Sequence, residues 1–223
     1  PANINSILAG DAIYSAMFDN KIHLFDEKSF EQACLTMLHM IRPDGEMIRI
    51  GDEFNEGTRY AGLGKTAFCG AYLYNNPILK GFAKKELNDF SKFYILSLSP
   101  IDILMFNKPE LECAPLTDLP LVQYNGYPMG SMYSRTSWTE RDAVMTYMKI
   151  GECYSGNHEH RDAGNFQIYH KGILASKSGN YTIDGNELDR HYNKQTISCN
   201  SILVFDPDRK DTEKWVYSGG HRI

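Results

Sequence analysis

Apolar residues recur at helical spacing through the first half of the chain. Ile7, Leu8, Ala12, Ile13, Ala16 and Met17 form one set, and Phe30, Ala33, Cys34, Met37, Leu38 and Ile41 form the next. Side chains three and four apart share a helix face, so each set predicts an amphipathic helix. The second set runs into Arg42-Pro43-Asp44-Gly45, a proline–glycine stop. A third helix is expected over residues 60–74, closed by Asn75-Asn76-Pro77, and a fourth from Leu79 to about Leu96, before Pro100. With no strands read between them, residues 1–110 form an all-α array.

From about residue 120 the period changes to two. Residues 143–150, 165–170, 172–176 and 201–205 are strand candidates. Turn formers separate them: Gly151, Ser155-Gly156, Lys171-Gly172, Ser178-Gly179-Asn180 and Asp206-Pro207-Asp208. Short strands punctuated in this way predict an antiparallel β-sandwich over residues 131–223. The intervening stretch carries Pro109, Pro115, Pro120 and Pro128 with little periodicity, so residues 111–130 read as a linker. A strand-like stretch, Trp215-Val216-Tyr217, lies close to residue 223 and would leave an unpaired edge, so the β part is expected to be truncated.

The 223 residues suffice for one large domain or two small ones, and 42% hydrophobic with 23% charged residues is ordinary for a globular protein. A formal net charge of −5 leaves no basic footprint for nucleic acid or an anionic membrane. It also means that any acidic polymer must be held by local charge. No apolar run approaches the roughly 18–20 residues that span a bilayer. The five cysteines are scattered without a C-x-x-C pair, which argues against both a disulfide framework and a zinc ribbon.

Three motif-like strings fail on inspection. Gly64-Lys65-Thr66 lacks the glycine that a phosphate-binding loop needs at position 59, where Arg59 stands, and the stretch reads as a helix surface. His158-Glu159-His160-Arg161-Asp162 has aspartate where H-E-x-x-H requires histidine. A cupin would place glutamate three or four residues beyond the second histidine, where Ala163 and Gly164 stand; a metal on a β-scaffold remains open as a general idea. Asn180-Tyr181-Thr182 is a formal glycosylation sequon that chance accounts for.

The informative stretch is His158 to Tyr169. Two histidines two apart on a strand point from the same face and can converge on one site. The order H-x-H-x-D-x-G-x-F-Q-I-Y (His158 to Tyr169) is followed by K-G-x-L-A (Lys171 to Ala175), S-G-x-Y (Ser178 to Tyr181) and T-I-S-x-N-S (Thr196 to Ser201). This succession resembles the heparinase II/III family of polysaccharide lyases. Gly219-Gly220-His221-Arg222 looks like the family's next strand, and Arg42 through Asp52 resembles a loop of its helical part. The match is specific over residues 156–205 and loose over residues 1–130.

The resemblance implies an α+β multidomain fold, with the C-terminal part of an incomplete α/α toroid followed by an antiparallel β-sandwich. It implies cleavage of a uronate-containing polysaccharide, a glycosaminoglycan such as heparan sulfate or an alginate-like polymer, by β-elimination. It makes His158 catalytic, puts Asn157 beside the uronate carboxylate, and has Tyr181 line the cleft. His160 stands at the position of a structural zinc ligand. Two further ligand positions hold Lys177 and Cys199. A thiolate binds zinc but a protonated lysine does not, so less than stoichiometric metal is expected. The ammonium of Lys177 is expected in the metal's place, paired with Asp162 or Glu159. The family's tyrosine acid/base and a second histidine have no counterpart here. Periplasmic or secreted location follows from the family alone. The rival classes are a noncatalytic glycan-binding protein on the same scaffold and a metal-dependent, cupin-like enzyme.

Overall fold

The computed structural model describes residues 13–18, 28–52, 63–88, 109–127, 129–151, 160–180 and 187–203. The chain divides into two compact units, residues 1–38 with 60–119, and residues 39–59 with 120–223.

The first unit carries α-helices among its described residues, with residues 109–119 irregular apart from a 3-10 turn at Leu116–Asp118. Helix α1 spans Ser29–His39, α2 Leu63–Tyr74 and α3 Pro77–Asn88. The α2–α3 corner follows from three residues. Asn75 takes the left-handed conformation (φ 52°) that ends a helix. Asn76 caps the next one, its Oδ1 accepting from the amides of Ile78 and Leu79, both at 3.0 Å. Pro77 then sits at the first helical position, where no amide is needed. Cys34, Ala67, Phe68, Cys69, Leu79, Phe82 and Ala83 are buried. Gly70 lets Cys34 and Leu79 approach, since a β-carbon there would lie 3.0 Å from the Cys34 sulfur. Gly64, Lys65 and Thr66 lie in the first turn of α2 as expected of a helix, but buried and not on its surface. The fourth helix predicted from Leu79 is seen to Asn88; residues 89–96 lie outside the described residues.

The second unit carries a five-stranded antiparallel meander, β1 Val122–Asn125, β2 Ser131–Arg135, β3 Met145–Lys149, β4 Phe166–Tyr169 and β5 Ile173–Ala175, in that spatial order. Strands β3, β4 and β5 match the predicted stretches. Strand β1 lies inside the expected linker, and β2 was not read from the sequence. The strand expected over 201–205 is absent at residues 201–203, and residues 204–205 lie outside the described residues. The described residues form a single sheet; neither a toroid nor a second sandwich layer is defined by them.

Segment 39–52 had been read with the helical half, yet it packs against this sheet. It turns back on itself at Arg42–Glu46, with Gly45 at φ 87° and the Arg42 guanidinium bidentate on Asp44 at 3.1 and 2.9 Å. Ile48 then enters the core with Tyr133, Met145, Tyr147 and Tyr169. The side chain of Gln167 anchors it further. Its Oε1 accepts from the Arg49 amide at 3.2 Å and its Nε2 donates to the Arg49 carbonyl at 2.5 Å, as a neighbouring strand would. Buried Gln167 is thereby satisfied at both ends.

Candidate functional site

Of the residues expected to carry chemistry, His158, Asn157 and Tyr181 lie outside the described residues. His160, Lys177 and Cys199 are described, and the first two meet.

His160 precedes β4 and is 1% exposed. Its Nε2 lies 2.6 Å from Asp52 Oδ1, and its Nδ1 lies 2.9 Å from the Asn193 carbonyl and 2.5 Å from Lys177 Nζ. Lys177, which follows β5, is 2% exposed and also donates to the Gly51 carbonyl at 2.7 Å. Its own carbonyl accepts from Arg49 Nη1 at 2.8 Å. Lys194 brings a further cation, 3.8 Å from Asp52 and 3.1 Å from Asp189. Beside them Lys149 and the buried Asp162 form a partly buried pair at 2.6 Å.

Burial and the nearby Lys177 ammonium hold the His160 pKa below its ordinary value, against the opposing pull of Asp52. The neutral ring that results satisfies Asp52 and Lys177 in one way, and the Asn193 carbonyl then lies beside Nδ1 without a hydrogen from it. Nε2–H donates to the Asp52 carboxylate and Nδ1 accepts from Lys177. Lys177 thus brings a buried cation against His160; the expected partner Asp162 holds Lys149, and Glu159 lies outside the described residues. The Lys177 charge is matched through the imidazole by Asp52.

The Cys199 sulfur lies 3.8 Å from the Gln195 carbonyl and 3.6 Å from Ser198 Oγ. Burial raises its thiol pKa, with Asp162 adding to the effect and Ser198, Lys177 and Lys149 opposing it. A protonated thiol is a poor metal ligand. The donors do not fit a zinc ion as they stand. A metal on Nδ1 needs a bond of about 2.0–2.1 Å, in the space that Lys177 Nζ occupies. A metal between Nε2 and Asp52 would hold nitrogen and oxygen about 3.3 Å apart at tetrahedral angles, more than the 2.6 Å found. Among the described residues no group of three His, Cys, Asp or Glu side chains is placed to hold a metal.

Asp52, Asn193 and Lys194 were not assigned to this site from the sequence. Asp52 stands 108 residues before His160, and only the antiparallel return of segment 39–52 brings it near.

The fold has solved counterparts. The chain is similar to heparan sulfate lyase HepC from Pedobacter heparinus, with TM-score 0.54 and 18% identity over 87% of this chain and 27% of that one. It is also similar to the heparinase III-BT4657 gene product, with TM-score 0.51 and 21% identity over 78% of this chain and 23% of that one. The chain thus spans about a quarter of the length of these two proteins, and at this identity the likeness establishes a shared fold. No family model matches the sequence, and no curated protein matches it. No described helix is long and apolar enough to cross a membrane.

Proposed function

We propose that the chain is part of a polysaccharide lyase that cleaves an acidic, uronate-containing polymer by β-elimination. The observation that carries the reading is the coincidence of two likenesses. The motif succession from His158 to Ser201 resembles heparinase II/III lyases, and the fold is shared with two solved proteins whose names are those of such enzymes.

The chemistry asks for three acts: neutralising a carboxylate, removing the weakly acidic proton beside it, and protonating the leaving glycosidic oxygen. In this reading His158 removes the proton or joins the group that neutralises the carboxylate. Asn157 binds that carboxylate, and Tyr181 packs its ring on the sugar. His160, two residues from His158, is fixed at both ring nitrogens and serves to hold the strand. Glycosaminoglycans and alginate-like polymers both meet the chemical requirement for a substrate, and the reading places the enzyme in a periplasmic or secreted location.

The altered residues at Lys177 and Cys199 favour a second reading, a noncatalytic glycan-binding protein on the same scaffold. One experiment separates them: the complete protein is incubated with a panel of uronate polysaccharides, and ultraviolet absorbance of the unsaturated uronate is followed. A rise on any substrate supports the lyase. Binding with no rise across the panel supports the second reading.

A further inference from the structure

We infer that Lys177 is a resident cation which does the structural work of a metal ion, locking segment 39–52 to the sheet through His160 and the turn 189–195 to that segment through Asp52 and Lys194. Lys177 is among the largest fully buried side chains of the described residues. Its ammonium is aimed at two acceptors from different parts of the chain, the Gly51 carbonyl at 2.7 Å and His160 Nδ1 at 2.5 Å. Through the opposite edge of the same imidazole the charge reaches Asp52 at 2.6 Å.

A metal ion in such a place would gather donors from segments distant in sequence and carry positive charge into a dry interior. The lysine does both. Gly51 and Asp52 come from the 39–52 segment and His160 from the approach to β4, and Lys194, just after the π-helical turn Asp189–Asn193, reaches Asp52. A buried ammonium is costly unless paired and hydrogen-bonded. Here that cost is met by an imidazole lone pair, a peptide carbonyl and a nearby carboxylate. The same geometry excludes zinc, because the lone pair that a metal would use is already taken.

The test uses the full chain and needs no knowledge of its substrate. Zinc chloride is added to the wild-type protein, excess is dialysed away, and bound metal and thermal unfolding are measured before and after a chelator. The expected result is well under one zinc per chain and an unfolding midpoint that neither zinc nor chelator moves. Stoichiometric zinc that survives dialysis, or a midpoint that rises with zinc, overturns the inference. In parallel, Lys177→Met and Lys177→Arg are compared by amide hydrogen exchange. Lys177→Met is expected to speed exchange at Arg49, Arg161 and Lys194 by tenfold or more, while Leu79 and Lys80 in α3 keep their rates. Unchanged exchange at those three amides in Lys177→Met would also overturn it. Should Lys177→Met fail to fold, the wild-type zinc measurement still decides.

Discussion

Arg135 Nη2 donates to the backbone carbonyls of His39 at 3.0 Å and Ile41 at 2.7 Å, so a buried strand arginine holds residues 39–41 to the sheet. Its guanidinium also lies 3.7 Å from the Trp138 ring centroid, and the His39 ring meets that indole edge-on at 4.9 Å. His39 is thus enclosed by a cation and an aromatic face. Neither of its ring nitrogens has a hydrogen-bond partner among the described residues.

This enclosure makes stability acid-sensitive. Burial, helped by Arg135, lowers the His39 pKa from 6.5 to about 4. The unfolded chain therefore binds a proton between those values and the folded chain does not, so stability is intact above pH 6.5 and falls as pH drops toward 4. The loss by pH 4 is expected to be about 3 kcal/mol. Asp44 adds in the same direction: although burial raises its pKa, Arg42 and the Glu46 amide hold the net value low. Urea unfolding at pH 7 and pH 4.5 should show the loss, and His39→Phe should remove most of it. A His39→Phe variant with the wild-type pH slope would disprove this role.

The Lys149–Asp162 pair, 14% and 3% exposed, is expected to behave as a buried ion pair. Asp162→Asn should destabilise by about 3–5 kcal/mol, because Lys149 would be left without its counter-charge. Lys149→Met combined with Asp162→Asn should recover a substantial part of that. A double-mutant cycle in denaturant measures both, and simple additivity would contradict the coupling.

In the helical unit, Gly81→Ala is a sharp probe. Alanine normally gains about 1 kcal/mol over glycine inside a helix. Here the new β-carbon would stand 2.2 Å from the Ala114 carbonyl oxygen, which is backbone and cannot swing aside. Net destabilisation of about 1–3 kcal/mol is expected. A stabilised Gly81→Ala protein would mean that residue 114 does not pack on α3.

Thiol reactivity should follow burial. The Cys34 thiol is pushed up to about 12, first by burial and then by Cys69 and Glu31. Cys113 is exposed. Brief alkylation of the native protein at pH 8, read by peptide mass spectrometry, should label Cys113 and spare Cys34 and Cys69. Labelling of Cys34 at a rate equal to Cys113 would count against the packed helical core.

For the proposed reaction, His158→Ala in the complete enzyme should lower turnover about 10²–10⁴-fold, the usual contribution of a general acid or base. That corresponds to about 3–5 kcal/mol in the barrier. His160→Ala should instead lower the unfolding midpoint together with activity, because it breaks the contacts to Asp52, Asn193 and Lys177. Full turnover in His158→Ala would remove the central residue of the lyase reading.

The sequence alone determined the division into a helical first part and a strand-rich second part, because periods of 3.6 and 2 are local properties. It also located β3, β4 and β5 and drew attention to His160 and Lys177. It missed β2 for a physical reason. The buried positions of that strand are Ser131, Tyr133 and Arg135, while Met132 is only half-buried, so the apolar alternation is blurred. Arg135 is tolerated inside only because two distant carbonyls and an indole receive its charge. The tertiary structure likewise decided that segment 39–52 belongs with the sheet and that Asp52, not Asp162, answers the charge of Lys177. Such pairings join residues more than a hundred positions apart, and no local pattern specifies them; they are set by which backbone groups and charges must be satisfied once the segment folds back onto the strands.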